Sequence, residues 1–318
     1  MASLTTGPAV APITNRLTSM KRFYALFLFI PAFLALAGCK KGGSVTELTT
    51  QEEMQIALAA VRGDAQIDFT REEVFDNVMG VNNEVGMGGT GIFGRMQQPD
   101  SFSCVSITLE RLGPAPFPVR VTLDFGNGGC TGRDGRTRSG RIITEYSARL
   151  TEPGSRSSSV FDHYQIDSLS ISGSLVVQNT TPVPGGPVVN RQFTITVTNG
   201  RITRPSGNYV QWNGARTLTQ IEGGATPQHP IDDVFHVMGS ASGTLKSGNL
   251  VSAWSSAITA PLRKSFNCRW IRQGIVQTHR GTGSASAQWT GALDYGGGTC
   301  DNMASLTLNG STYQISLP

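Results

Sequence analysis

The most regular feature of the chain is an alternation of apolar and polar positions with a period of two. Ile142, Thr144, Tyr146, Ala148 and Leu150 alternate with Ile143, Glu145, Ser147 and Arg149. Leu169, Ile171, Gly173, Leu175 and Val177 share one face of a second run, and Ser168, Ser170, Ser172 and Ser174 share the other. Phe193, Ile195 and Val197 alternate with Thr194, Thr196 and Thr198, and Asn199-Gly200 follows as a hairpin signal. A strand sends successive side chains to opposite faces, so each run predicts a strand with one covered face. Further strands are predicted over residues 210–221, 235–245, 250–259, 268–277, 284–293 and 304–317, with turns at Pro153-Gly154 and Lys246-Ser247-Gly248-Asn249. The predicted fold is mainly β: an antiparallel meander of about a dozen strands over residues 104–318, in an open or half-closed sheet.

Upstream of this the period changes. Thr49-Thr50-Gln51-Glu52-Glu53 reads as a helix start, and Met54, Ile56, Leu58, Ala59 and Val61 follow before Gly63. A second short helix is predicted from about Thr70 to Met79, with Val74, Phe75 and Val78 on one face. These helices and the loop after them form a predicted arm over residues 49–103, packed between the N-terminal segment and the sheet. Gly89-Thr90-Gly91-Ile92-Phe93-Gly94 fits a G-x-G-x-x-G pattern, but no strand precedes it, so it reads as a glycine loop rather than a dinucleotide site.

One short pattern occurs twice. Leu123-Asp124-Phe125-Gly126-Asn127-Gly128-Gly129-Cys130 and Leu293-Asp294-Tyr295-Gly296-Gly297-Gly298-Thr299-Cys300 both read Leu-Asp-aromatic-Gly-x-Gly-x-Cys. Each has a second cysteine upstream, Cys104 and Cys268. The glycines allow tight turning, and each Asp is placed to accept hydrogen bonds from its own turn.

The N-terminus changes how composition and charge are read. Lys21 and Arg22 precede an apolar run from Phe23 to Ala37 that is too short for an ordinary membrane span. The run ends Leu36-Ala37-Gly38-Cys39, which resembles the lipobox of bacterial lipoproteins. That resemblance implies a signal peptide over residues 1–38, lipidation of Cys39 and a short tether over residues 39–48. Met20 to Gly38 alone has the proportions of such a signal. Lys40 rather than Asp after the cysteine implies, by the enterobacterial sorting rule, the outer membrane. The net charge of +4 includes Arg16, Lys21 and Arg22 and no acid from the leader, so the mature chain carries +1. That balance gives no reason to expect nucleic acid as a partner. Charged residues make up 15% of the chain and glycines number 38, which suits a surface solvated by hydroxyls between many turns.

Five cysteines less Cys39 leave four in an oxidising compartment. Three pairings are open, and the repeat favours Cys104–Cys130 with Cys268–Cys300. The densest charge cluster follows Cys130 and carries Arg133, Arg136, Arg138 and Arg141. Guanidinium forks match phosphate, sulfate or carboxylate, which makes this cluster the leading ligand-site candidate. The competing reading is a solvated hairpin with Arg136 and Arg138 projecting from one strand face. His229 and His236 flank Asp232 and Asp233 at a spacing that fits no zinc motif. Trp212, Trp254, Trp270 and Trp289 read as core residues. No metal, cofactor or catalytic constellation is expected.

The leader, the paired cysteines, Asp124 to Gly126 through Cys130 to Arg136, Cys268-Arg269-Trp270-Ile271, and Asp294 to Gly296 through Cys300-Asp301 resemble a group of bacterial lipoproteins without an established activity. The resemblance implies an exported, β-rich, lipid-anchored protein and transfers no catalytic residue. The expected role is non-catalytic, in binding or structural support at the envelope, with an envelope protein, a lipid or a glycan as partner. Two alternatives are a lipid or lipoprotein carrier with a half-barrel groove and an envelope hydrolase.

Overall fold

The computed structural model describes residues 50–90, 104–132, 134–183, 190–227, 229–281 and 290–317. It begins with one helix, α1 (Thr50–Gly80), where two short ones were predicted. Gly63 does not break it. The helix runs through this glycine, with Val210 of the sheet in ordinary van der Waals range of that position. From Ala60 to Gly80 every residue except Arg62 is buried or half-buried. A helix surrounded on all sides shows no single apolar stripe, so its middle was not recognisable as helix.

The strands follow in chain order: β1 (Ser106–Arg111), β2 (Val119–Asp124), β3 (Cys130–Thr131), β4 (Thr137–Tyr146), β5 (Arg156–Ile166), β6 (Leu169–Asn179), β7 (Gln192–Thr203) and β8 (Tyr209–Glu222). Next come β9 (Val234–Ser247), β10 (Leu250–Ala260), β11 (Leu262–Ser265), β12 (Gln273–Gly281), β13 (Thr290–Gly297), β14 (Met303–Leu308) and β15 (Ser311–Ser316). They form a single antiparallel sheet in the order β1-β2-β4-β5-β6-β7-β8-β9-β10-β12-β13-β14-β15, with β3 beside β4 and β11 beside β9. The expected mainly β, open meander is what the chain forms. Among the described residues β1 and β15 are its edges.

Local turn chemistry sets the joints. Asp167-Ser168 and Asn309-Gly310 both adopt positive φ and close the β5–β6 and β14–β15 hairpins. Asn199-Gly200 does not turn the chain, contrary to expectation. β7 runs through it, with Asn199 at φ 51° in a bulge. The bulge sits against Gly173, where a β-carbon would meet Asn199 O at 2.6 Å. Conversely, residues 304–317, expected as one strand, divide into β14 and β15 at Asn309-Gly310. Residues 268–271 precede β12 rather than opening it.

The sheet curves about α1. Phe193 of β7, Phe235 of β9 and Phe266 pack in an aromatic cluster with Phe75 of the helix, at centroid distances of 5.6–6.2 Å. Tyr146 of β4 donates to Val78 O at 2.9 Å, while a β-carbon on Gly291 of β13 would lie 2.7 Å from Val61 Cγ2. Strands near both ends of the sheet thus reach the same helix. Burying each large apolar side chain contributes roughly 1.5–3 kcal/mol, so this shared core is the main source of cohesion. No described helix is long and apolar enough to cross a membrane.

Candidate functional site

The two copies of the repeated pattern are equivalent structural units. Cys104 precedes β1, and Cys130 follows β2; Cys268 precedes β12, and Cys300 follows β13. Both expected disulfides are formed, Cys104–Cys130 and Cys268–Cys300. In each copy the Asp caps its own turn: Gly126 N donates to Asp124 Oδ1 at 2.9 Å, and Gly296 N to Asp294 Oδ1 at 2.8 Å. Leu123 lies between Ile107 and Ile142; Leu293 lies between Val276 and Leu306. Each unit is a three-stranded corner whose strands are tied by one disulfide.

The loops of the two units meet over the helix. The Arg136 guanidinium lies 4.1 Å from the centroid of Phe69, and that of Arg269 lies 5.8 Å from the same ring and 5.1 Å from Trp270. Arg269 Nη1 donates to the carbonyl of Asp134 at 3.3 Å. Beside this contact is a cavity of about 20 Å³, room for one water, lined by Asp68, Phe69, Glu72, Arg269, Trp270 and Tyr295 among others.

Three of the four arginines in the candidate anion cluster already have carboxylate partners. Arg138 is 1% exposed; its Nε donates to Glu73 at 2.7 Å and its Nη2 to Asp134 at 2.7 Å. Arg136 pairs with Asp167 at 2.9 Å. Arg141 points to the other face of β4, where it pairs with Asp124 and Asp162. These three arginines are therefore split between two faces, and each already holds a carboxylate. The solvated-hairpin reading fails, because Arg138 is a core residue. Arg133 lies outside the described residues, as do Cys39, Gly91 to Gly94 and Trp289.

The charge cluster that the structure does assemble is interior, and its acids were not singled out in the sequence. Asp64, Asp68, Glu72 and Asp76 recur every fourth residue along α1 and share a face. Arg71 pairs with Asp68 at 2.7 Å, and Arg216 of β8 lies 3.6 Å from the same carboxylate. Lys264 of β11 reaches Glu72 at 3.2 Å and Asp76 at 2.9 Å. Ser256 of β10 donates to Asp64 at 2.8 Å, and Tyr295 donates to Asp68 at 3.4 Å. Four carboxylates thus face three cations in a water-poor interior. Burial, with Asp68 adding repulsion, pushes the Asp64 carboxyl up to about 7. Burial raises Asp76 to about 7 as well, against the pull of Lys264. Arg138 is raised too, but with the opposite effect on charge: burial disfavours its charged form, and Glu73 and Asp134 outweigh that and keep it protonated. The signal for this cluster was the four-residue spacing of the acids.

The histidines do not converge. His229 and His236 flank a short 3-10 turn (Pro230–Asp232), and the buried Asp233 accepts from Gln220 at 2.7 Å instead. His163 Nδ1 lies 2.6 Å from Asp162, with the ring 93% exposed. Among the described residues no group of three or more His, Cys, Asp or Glu is arranged to hold a metal ion. Comparison with protein-family models, with curated proteins and with solved structures gave no match.

Proposed function

We propose that this protein is a lipid-anchored component of the bacterial cell envelope, held at the outer membrane by acyl chains on Cys39, with a non-catalytic role in binding or structural support. The observation that carries this reading is the leader: Lys21-Arg22, an apolar run and Leu36-Ala37-Gly38-Cys39. Two further features support it. The other four cysteines are consumed in two disulfides, the state of an oxidising compartment. Among the described residues the inner face of the sheet is occupied by α1, and two cavities beside the helix measure about 10 and 20 Å³. A lipid carrier needs an open apolar groove there, so the filled interior favours a structural role over transport.

Mass spectrometry of the mature protein purified from a membrane fraction tests the anchor. The expected N-terminal peptide begins at Cys39 and carries a thioether-linked diacylglyceryl group and an N-acyl chain. Cys39→Ser should abolish lipid labelling and leave the leader uncleaved. A mature chain that begins elsewhere, or an unmodified Cys39, would overturn the proposal.

A further inference from the structure

The equivalence of the two disulfide corners gives an internal comparison for the free edge of the sheet. In the second corner the first strand, β12, has neighbours on both sides, β13 and β10. Val276, opposite Leu293, is fully buried and faces Ile258 of β10 on its other side. In the first corner the corresponding strand is β1 and the residue opposite Leu123 is Ile107. Among the described residues nothing pairs with the outer side of β1, and Ile107 is 44% exposed. All of Ser106–Arg111 is exposed except the half-buried Leu109. The same unit is thus covered by a strand in one copy and bare in the other.

A bare edge presents a row of backbone N–H and C=O groups ready to pair. Edges are commonly blunted by Lys, Pro or a bulge. From Ser106 to Leu109, β1 has no charge and no proline, and it pairs with β2 without a register shift. Its charged end is Glu110-Arg111, where Glu110 pairs with Arg120 at 3.2 Å and Arg111 is exposed.

We propose that the outer edge of β1 is a docking site for an extended segment of another polypeptide, added antiparallel as β10 is added to β12. The chemistry of that segment follows from the filled copy. Ile258 faces Val276, Ala257 faces Gln277 and Ser256 faces Thr278. The docked strand therefore places an aliphatic side chain opposite Ile107 and small, uncharged residues opposite Thr108 and Leu109. Main-chain hydrogen bonds supply affinity, and the aliphatic contact sets the register. A second copy of this chain pairing through β1 is the less favoured occupant. In the filled copy the neighbour of β12 is an unlike strand, β10, rather than a second β12, which favours an unlike segment here too.

The probe is a fluorescein-labelled synthetic peptide with the sequence of Leu250–Ala260, titrated with the purified full chain and followed by anisotropy. Saturable binding is expected, weakened about tenfold or more by Ile107→Lys in the protein or by Ile258→Lys in the peptide. Ile107 is exposed, so its variant should keep the parent melting temperature; slowed amide exchange over residues 106–111 of the parent chain on peptide addition gives a readout independent of the variant. Absence of binding, or equal binding by the Ile107→Lys protein, would overturn the proposal. Self-association of the chain that is lost in Ile107→Lys would overturn the choice of a foreign segment in favour of a second copy.

Discussion

Arg138 shows how far a residue's neighbours decide its meaning. In sequence it is one of four arginines beside glycines, a pattern suited to catching an anion. In the fold its anions are internal: Asp134 from its own turn and Glu73 from α1, 65 residues earlier. Removing one partner of a buried pair leaves the other charge uncompensated, which costs about 3–5 kcal/mol. Arg138→Ala should therefore lower stability by about that amount in a denaturant titration. Arg141→Ala, on an exposed pair screened by solvent, should leave the denaturant midpoint nearly unchanged. Equal effects would show that the buried pair is not a special tie. The arginine spacing was legible in the sequence; its partners were not, because Glu73 meets Arg138 only after the sheet has curved round the helix. Asp124 and Asp294 were legible for the opposite reason, since each is satisfied within two residues.

Among the elements, strands were the easiest to read and the helix the hardest. A strand covered on one side leaves a period of two, as in β4 and β6. α1 is surrounded, and its acids are neutralised inside the core, so no apolar stripe marks it. Turn signals were readable only where the surroundings let them act. Asn199-Gly200 and Asn309-Gly310 are the same dipeptide. The first is pinned in mid-strand against Gly173, and the second is left free to close a hairpin. The disulfide corners were predictable because the pattern repeats. Cys104 and Cys130 are 26 residues apart, and Cys268 and Cys300 are 32 apart. Loops of that length contribute about 3–4 kcal/mol each in the chain-entropy view. Paired serine variants of either bridge should each lose about that much in chemical denaturation. Similar losses are expected for both, since the units are equivalent. A bridge whose removal changes nothing would mark its corner as held by packing alone.

For the whole molecule, the interior charge balance makes stability depend on pH in an unusual direction. Asp64, Asp76 and Asp233 are each raised from 3.8 to about 7 in the fold, burial being the first cause in every case. Between those values the folded chain holds protons that the unfolded chain has released. Stability is therefore fullest near pH 4 and declines as pH rises to about 7, above which these groups add no further slope. Asp134 acts in the opposite sense: Arg138 overcomes its burial and lowers its pKa, so its contribution is lost on acidification below the unfolded value of 3.8. The melting temperature should accordingly fall from pH 5 to pH 7.5. Asp64→Asn and Asp76→Asn should each flatten that slope, and a profile that rises towards neutrality would refute the account.

The position of α1 also bears on the order of events during synthesis. The helix emerges before every strand, yet Asp68 meets Tyr295, 227 residues later. Its other partners, on β4, β8, β10 and β11, arrive in between. Contacts so distant in sequence make folding slow, because loop closure must be achieved before they can reward it. Until β13 is available the helix has no complete enclosure. A greasy helix left waiting in that way would invite aggregation. One that carries Asp64, Asp68, Arg71, Glu72 and Asp76 presents charge to water during the delay and so resists association. The charges that look costly in the finished core are, on this timescale, protection for the unfinished one.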